Sequence, residues 1–148
     1  MMPNAGSPDS LARAGRLLGL DVGDRRIGLA VSIPPGELIL PAGHVQRSNR
    51  RVDVAAILEE AGRREAVAIV VGIPYDSQGR SGEQARKTAS FVRALERVAA
   101  MPVLTVDEGF TSHAGAAELR DSGREPSRER GSVDAAAAVA ILRRFLTS

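Results

Sequence analysis

Hydrophobic positions along the chain follow two periods, and these predict a sequence of strands and helices. Short apolar runs rich in Leu, Val and Ile predict strands at residues 16–22, 27–32, 42–47, 66–74 and 101–109. Apolar residues at helical spacing predict helices at residues 50–65, 83–100, 112–123 and 132–147. The charged stretch "REPSRERG", residues 124–131, is predicted to be a loop between the last two helices.

The order of these elements predicts an α/β fold. Short turns join the first three strands, which favours antiparallel pairing, whereas helices join the later strands, which favours parallel pairing. A five-stranded mixed sheet with helices on both faces follows, as one domain over residues 16–148. Residues 1–15 mix Pro, Asn, Gly and Ser without periodicity, which predicts a flexible N-terminal tail.

Composition narrows the possible chemistry. Aromatic residues make up only 3% of the 148 residues, so the core is expected to be aliphatic. The chain contains no Cys, which excludes disulfides and thiolate metal sites. The apolar runs are too short to cross a bilayer and no signal peptide is visible, so we expect a cytoplasmic protein.

The basic residues are almost entirely arginine, with Lys87 as the only lysine, although the net charge is only +2. Two explanations are open. The first is a codon bias of the genome. The second is the binding of phosphate groups, which the planar arginine fork contacts with two parallel hydrogen bonds.

Carboxylates occur at three places where the surrounding pattern is apolar. Asp21 interrupts the strand "RLLGLDV", Asp107 and Glu108 end the strand "PVLTVDEG", and Asp134 precedes a run of alanines. Each has a simple structural explanation if it is taken alone. Asp21 would belong to a turn, Asp107 and Glu108 would face solvent at a strand end, and Asp134 would favour a helix N-terminus.

Together these acids predict a metal site. A helix that crosses the sheet could bring Asp134 to the ends of the two central strands, where the carboxylates would repel one another. A hard divalent cation such as Mg²⁺ or Mn²⁺ would compensate that repulsion, because it prefers oxygen ligands. Asp107 and Glu108 are adjacent in a strand and point to opposite faces, so only one of them can join Asp21. The pattern alone leaves that choice open.

Four blocks of the sequence resemble the YqgF family, also called the RuvX or Holliday-junction-resolvase-like family. They are "GLDVGDRRIGLAVS", "VVGIPYDSQGRSGEQARKTASFVRAL", "VDEGFTS" and "GSVDAAAAVAIL", in this order. The resemblance covers about residues 16–147 and rests on the four blocks together. A block such as "LDVGDRRIG" alone also resembles actin-like ATPases, but those enzymes need two such lobes.

The resemblance implies an RNase H-like fold and a nuclease that depends on one or two Mg²⁺ or Mn²⁺ ions. It implies that Asp21, Glu108 and Asp134 are the catalytic metal ligands, with Thr111 and Ser112 as a hydroxyl pair that contacts nucleic acid. The family is linked to 5′-end maturation of 16S ribosomal RNA and to the cleavage of branched DNA. For a junction-cleaving enzyme, a homodimer is expected, because two symmetric cuts need two sites.

Further residues are candidates for contacts with the nucleic-acid backbone. Arg25 and Arg26 follow Asp21 in the predicted turn, and backbone amides of the loop containing Gly72, Gly79 and Gly82 could hold a phosphate. The remaining candidates, on the next helix and the charged loop, are Arg86, Lys87, Arg128 and Arg130. For all of them the alternative is an ordinary solvated turn, loop or helix face.

One departure from the family pattern keeps a second function open. The family usually reads Glu-Arg-Leu-Thr where this chain has Glu108-Gly109-Phe110-Thr111, so a basic side chain is missing beside the predicted metal site. The alternative function is a non-catalytic RNA-binding factor of ribosome assembly that retains the fold.

Overall fold

The computed structural model describes residues 7–75, 82–108 and 126–148, with the side chains of the last segment described from residue 133 onward. Its strands are β1 (Arg16–Val22), β2 (Arg26–Ile33), β3 (Leu38–Gln46), β4 (Ala66–Ile73) and β5 (Val103–Asp107). Its helices are α1 (Pro8–Ala14), α2 (Arg50–Arg63), α3 (Glu83–Val98) and α4 (Pro126–Leu146). None of the helices in these described ranges is long and apolar enough to cross a bilayer.

The strands form one mixed sheet in the order β3-β2-β1-β4-β5. β1 and β2 pair antiparallel, as do β2 and β3, whereas β4 is parallel to both β1 and β5. The predicted five-stranded mixed sheet is therefore confirmed. Because β1, β4 and β5 run in the same direction, their C-terminal ends lie at one end of the sheet, which we call the carboxyl edge.

Helices cover both faces of the sheet, as predicted. On one face, α2 and α3 pack against alternate residues of β1 and β4, including Leu18, Leu20, Ile69 and Val71. On the other face, α1 and α4 pack against the intervening residues, including Leu17, Ala68 and Val70. β1 and β4 are buried on both sides, which explains why their sequences read as continuous apolar runs.

The first helix lies in the segment that was expected to be a flexible tail. The Ser7 side chain accepts a hydrogen bond from the Ser10 amide and caps α1, and Pro8 occupies the first turn, where its missing N–H costs nothing. Leu11 and Ala12 are buried in the cluster that α4 forms with the sheet. The prediction of a flexible tail over residues 1–15 is therefore wrong for residues 8–14.

Strand β3 is longer than the predicted strand at residues 42–47, because residues 38–41 also pair with β2. The pairing shifts register between Gly28 and Ala30, and Gly43 adopts a positive φ of 80° in the bulged segment. β3 forms an edge of the sheet, with Leu38 and Leu40 exposed and Pro41 in its middle. Because most residues of β3 are exposed or only partly buried, its sequence lacks the alternation of apolar and polar residues that identifies a half-buried strand.

Helix α4 begins at Pro126, within the segment 124–131 that was predicted to be a loop. Arg128 and Arg130 therefore belong to the backbone of this helix, while their side chains lie outside the described part of the chain. Asp134 lies in the interior of the helix, so its interpretation as a residue of the helix N-terminus is wrong. The helix predicted at residues 112–123 falls outside the described residues.

Candidate active site

Asp21 lies on the face of β1 that α4 covers. Alternation along β1 sends Leu17 and Asp21 to the same side of the sheet, and Leu17 belongs to the cluster that includes α4. Gly19, between them on that side, lies against Leu142 of α4. Asp21 is partly buried and pairs with Gly28 of β2, so it is a strand residue rather than part of a turn.

Gly28 places Asp134 beside Asp21. A Cβ atom at Gly28 would overlap the main-chain carbonyl of Asp134 and would lie 2.8 Å from the Asp134 Cβ. This approach of helix to strand is possible only because residue 28 has no side chain. Since Gly28 is the partner of Asp21 in the antiparallel pair, Asp134 lies next to Asp21 on the sheet.

Glu108 approaches the same region from β5. Its amide donates to the Ile73 carbonyl at 3.1 Å, which continues the pairing of β5 with β4 by one residue. Its side chain is only 4% exposed, and its Cδ lies 3.2 Å from the place where a Cβ of Gly72 would be. Asp107 is exposed. Asp107 and Glu108 thus differ in burial, and Glu108 is the one directed towards Asp21.

The three carboxylates interact electrostatically. The pKa of Asp21 is raised to about 7, mainly by burial and additionally by the negative charges of Glu108 and Asp134. Acids from positions far apart in the sequence therefore lie near one another at the carboxyl edge, where Glu108 and Asp134 each make the ionisation of Asp21 less favourable.

Arg26 neutralises one of these acids. Its Nε donates to Asp134 Oδ2 at 2.8 Å, and the two side chains are 19% and 20% exposed. An ion pair of this length and burial is a strong charge-assisted hydrogen bond. The phosphate contact predicted for Arg26 competes with this bond, because the guanidinium is already directed at Asp134.

The residues fit a hard divalent cation in their chemistry. All three side chains offer oxygen donors, and the repulsion that raises the pKa of Asp21 is the kind that a bound cation relieves. Within the described ranges, however, no three acidic or histidine side chains stand close enough to form a metal-binding group. A bound ion would require the carboxylates to draw together and Asp134 to share its oxygens with Arg26.

The other predicted contact residues are distributed around the turn that joins β1 to β2. Arg25 is exposed in that turn. Arg86 and Lys87 are exposed on α3, and Lys87 Nζ lies 3.7 Å from Asp24 Oδ1 in the same turn. Outside the described residues or side chains are Gly79, Gly109, Thr111, Ser112, Arg128 and Arg130.

Two glycines have structural roles that the sequence pattern does not predict. Gly72 was assigned to a phosphate-binding loop, but it lies inside β4, where its lack of a side chain leaves room for Glu108 and for Ile141 of α4. Gly28 was given no role. The signal that could have identified both is a glycine inside an otherwise apolar strand, which marks a close approach by another part of the chain.

Comparisons with known proteins agree with this architecture. The family described as "RuvX: Holliday junction resolvase" matches residues 15–148. A protein of Mycobacteroides abscessus named "Putative pre-16S rRNA nuclease" is 41% identical over 146 residues, with 97% of this chain and 87% of that protein covered. A Synechococcus protein with the same name is 40% identical over 129 residues, with 87% and 76% covered.

Solved structures of resolvases share the fold. Thermus thermophilus RuvC in complex with a Holliday junction substrate matches with a TM-score of 0.55 and 21% identity, covering 89% of this chain and 94% of that one. The fowlpox virus resolvase in complex with Holliday junction DNA matches with a TM-score of 0.52 and 8% identity, covering 89% and 97%. The RNase H-like fold implied by the sequence is confirmed, and the chain belongs to the RuvX (YqgF) family.

Proposed function

We propose that this protein is a nuclease that hydrolyses phosphodiester bonds of structured RNA and matures the 5′ end of the 16S ribosomal RNA precursor. The observation that carries the proposal is the convergence of Asp21, Glu108 and Asp134 at the carboxyl edge. The charges of Glu108 and Asp134 add to the cost of ionising the buried Asp21, which destabilises the fold, so a functional partner for this charge is the simplest explanation.

That partner would be Mg²⁺ or Mn²⁺, held by the carboxylates of Asp21, Glu108 and Asp134. When bound, such an ion activates water as a nucleophile and stabilises the charge that develops on the phosphate. The chain contributes the positions of the ligands. β1 holds Asp21, the last β5 pairing fixes Glu108, and the Gly28 contact fixes Asp134.

Basic side chains near the site would bind the nucleic-acid backbone. Arg25 is exposed in the turn that directly follows β1, and Arg86 and Lys87 are exposed on α3 beside it. These residues contribute positive charge on one side of the acidic cluster. Contacts of this kind give affinity without sequence preference and weaken as salt concentration rises.

The similarity of sequence favours RNA as the substrate. The relatives that are about 40% identical carry the name of a pre-16S rRNA nuclease. The junction-cleaving proteins share the fold at 21% identity or less, which is too distant to transfer a substrate. Cleavage of branched DNA is therefore the second activity to test.

The decisive experiment is a cleavage panel with Mn²⁺ on 16S precursor RNA, single-stranded RNA and DNA, and four-way DNA junctions. We expect the wild type to cut the precursor RNA near its 5′ end. Asp21→Asn should lower the rate by about 100-fold or more, because it removes a charged ligand of the ion. Asp107→Asn is the matched control, since Asp107 is an exposed aspartate at the end of β5.

Undiminished cleavage by Asp21→Asn, with its fold confirmed by circular dichroism, would refute the assignment of the site. A wild type that binds the RNA equally well in EDTA and never cuts it would instead identify a non-catalytic assembly factor. Preferential cutting of four-way junctions would assign branched DNA as the substrate.

A further inference from the structure

Arg47 is the centre of a network that no step of the proposed chemistry uses. It follows β3 directly, and its Nη1 donates to the Gly23 carbonyl at 2.8 Å while its Nε donates to Asp53 Oδ2 at 3.1 Å. Its guanidinium carbon lies 5.3 Å from the centroid of the Phe91 ring, within range of a cation–π interaction. Its amide also donates to the Arg25 carbonyl at 2.8 Å.

Asp53 anchors this arginine from α2. The Asp53 side chain is 1% exposed, and its second oxygen, Oδ1, accepts a hydrogen bond from the Ser48 amide at 2.8 Å. A buried carboxylate is tolerated when both oxygens have donors and an opposite charge is near. Arg47 is thereby held in one orientation, with Phe91 beneath it.

The segment that Arg47 holds connects two groups of the candidate active site. Residues 23–25, which we call the β1–β2 turn, follow Asp21 by two positions and precede Arg26. The Gly23 amide donates to the Arg26 carbonyl at 2.9 Å and closes the turn. Arg47 bonds to carbonyls at both ends of this turn, those of Gly23 and Arg25.

We infer that Arg47 is a positioning residue for the active site. By bonding to both ends of the β1–β2 turn it fixes the register in which Arg26 reaches Asp134 and in which Arg25 faces the nucleic acid. This role rests on the proposed nuclease function, since the turn matters only if the groups that it positions act on a substrate.

An arginine is required for this role. The planar fork donates along two directions at once, to Gly23 and to Asp53, while its flat face stacks on Phe91. A lysine at position 47 would keep the positive charge near Asp53, but one ammonium cannot satisfy both acceptors from the same place. The substitution Arg47→Lys therefore separates the effect of the positive charge at residue 47 from the effect of its hydrogen bonds on the position of the β1–β2 turn.

The test compares Arg47→Lys with Arg50→Lys. Arg50 is exposed at the start of α2, and no hydrogen bond or ion pair joins its side chain to another residue of the described ranges. Arg50 is therefore the matched control. We expect Arg47→Lys to shift or broaden the NMR amide signals of Gly23 to Arg26 and the Arg26 Nε–H signal. Signals of the buried Leu29 should stay in place, which shows that the fold is intact.

In the cleavage assay, Arg47→Lys should lower kcat/KM about tenfold, because Arg47 sets the geometry of Arg26 at Asp134 and of Arg25 at the nucleic-acid backbone. Arg50→Lys should leave kcat/KM unchanged. Asp53→Asn provides a second variant if Arg47→Lys fails to fold. It weakens the same contact with the arginine retained, so a smaller shift of the same signals is expected.

Unchanged turn signals in both variants would overturn the inference, and so would shifted turn signals with full cleavage activity. The failure of the proposed function has a different signature. If the wild type does not cleave nucleic acid, the nuclease proposal is refuted by that result alone, while the NMR signals still decide whether Arg47 fixes the turn.

Discussion

At Asp21 the folded structure disfavours the ionised carboxylate that the proposed function requires. Its carboxylate is partly buried and faces two further acids, and these surroundings raise its pKa from 3.8 to about 7. The folded protein near neutral pH therefore retains a proton that the unfolded chain releases. An acid with a raised pKa destabilises the fold when it is ionised, so the stability of the protein depends on pH.

This conflict predicts the effect of Asp21→Asn on stability. Well below pH 3.8 the Asp21 carboxyl is protonated in both the folded and the unfolded state and does not change the free energy of unfolding. As pH rises, Asp21 lowers the free energy of unfolding increasingly, until the effect levels off above about pH 7. In EDTA at pH 8 we expect Asp21→Asn to unfold with a free energy about 4 kcal/mol larger than that of the wild type, because asparagine cannot ionise. At pH 4 the difference should fall to about 0.5 kcal/mol or less.

Urea denaturation at several pH values measures this difference. The control is again Asp107→Asn, which replaces an exposed aspartate at the end of β5. Equal stability of wild type and Asp21→Asn at pH 8 would show that neither burial nor the two neighbouring acids raises the pKa of Asp21 in the folded protein.

At the scale of elements, the contact of α4 with β2 decides where Asp134 stands. The helix backbone lies directly on Gly28, and this contact involves main-chain atoms that no change of rotamer can move. A side chain at residue 28 would lift the N-terminal half of the described α4 from the sheet and separate Asp134 from Asp21.

We therefore expect Gly28→Ala to lower the free energy of unfolding by about 2–4 kcal/mol and to abolish cleavage. Gly62→Ala is the matched control. Gly62 lies in α2 with open space around its Cβ position, so alanine should stabilise the protein by about 0.5–1 kcal/mol through helix propensity. Thermal denaturation compares the two variants, and a Gly28→Ala protein as stable as the wild type would contradict the packing described for α4.

The sequence predicted the elements that carry a clear period and missed those that do not. β1 and β4 were predictable because they are continuous apolar runs, and α3 because its apolar positions repeat at helical spacing. α1 has only two buried residues, and the start of α4 is charged, so neither segment carries an amphipathic signal.

The candidate site was predictable in its residue types but not in its contacts. Charged residues within apolar strands drew attention to Asp21 and Glu108. The pairing of Arg26 with Asp134 joins residues that are 108 positions apart, and no local pattern encodes it. Arg47 and Asp53 are close in sequence, but their bond depends on how α2 turns back onto the sheet, which spacing alone does not give.

At the scale of the whole molecule, the proposed metal site would link cation binding to folding through the acids of the carboxyl edge. A ligand that binds only the folded state stabilises it by an amount that grows with concentration. At about 100 times the dissociation constant, Mn²⁺ should add about 2.7 kcal/mol to the free energy of unfolding, which corresponds to a rise in Tm of about 5 °C or more.

Differential scanning fluorimetry at pH 8 tests this expectation without any nuclease substrate. The rise in Tm should disappear in Asp134→Asn, which loses one anionic ligand, and persist in Asp107→Asn. An equal rise in Asp134→Asn and the wild type would place the cation elsewhere on the protein.

The edge strand β3 bears on whether two molecules can pair edge to edge and aggregate. An edge strand with exposed leucines would ordinarily pair along its outer side with the same strand of a second molecule and extend the sheet. Pro41 offers no amide hydrogen at the centre of that strand, and the irregularity at Gly43 twists the remaining backbone away from a flat ribbon. Pro41 and Gly43 therefore oppose fibre formation, and the edge of the sheet can expose apolar side chains to water without becoming a template for aggregation.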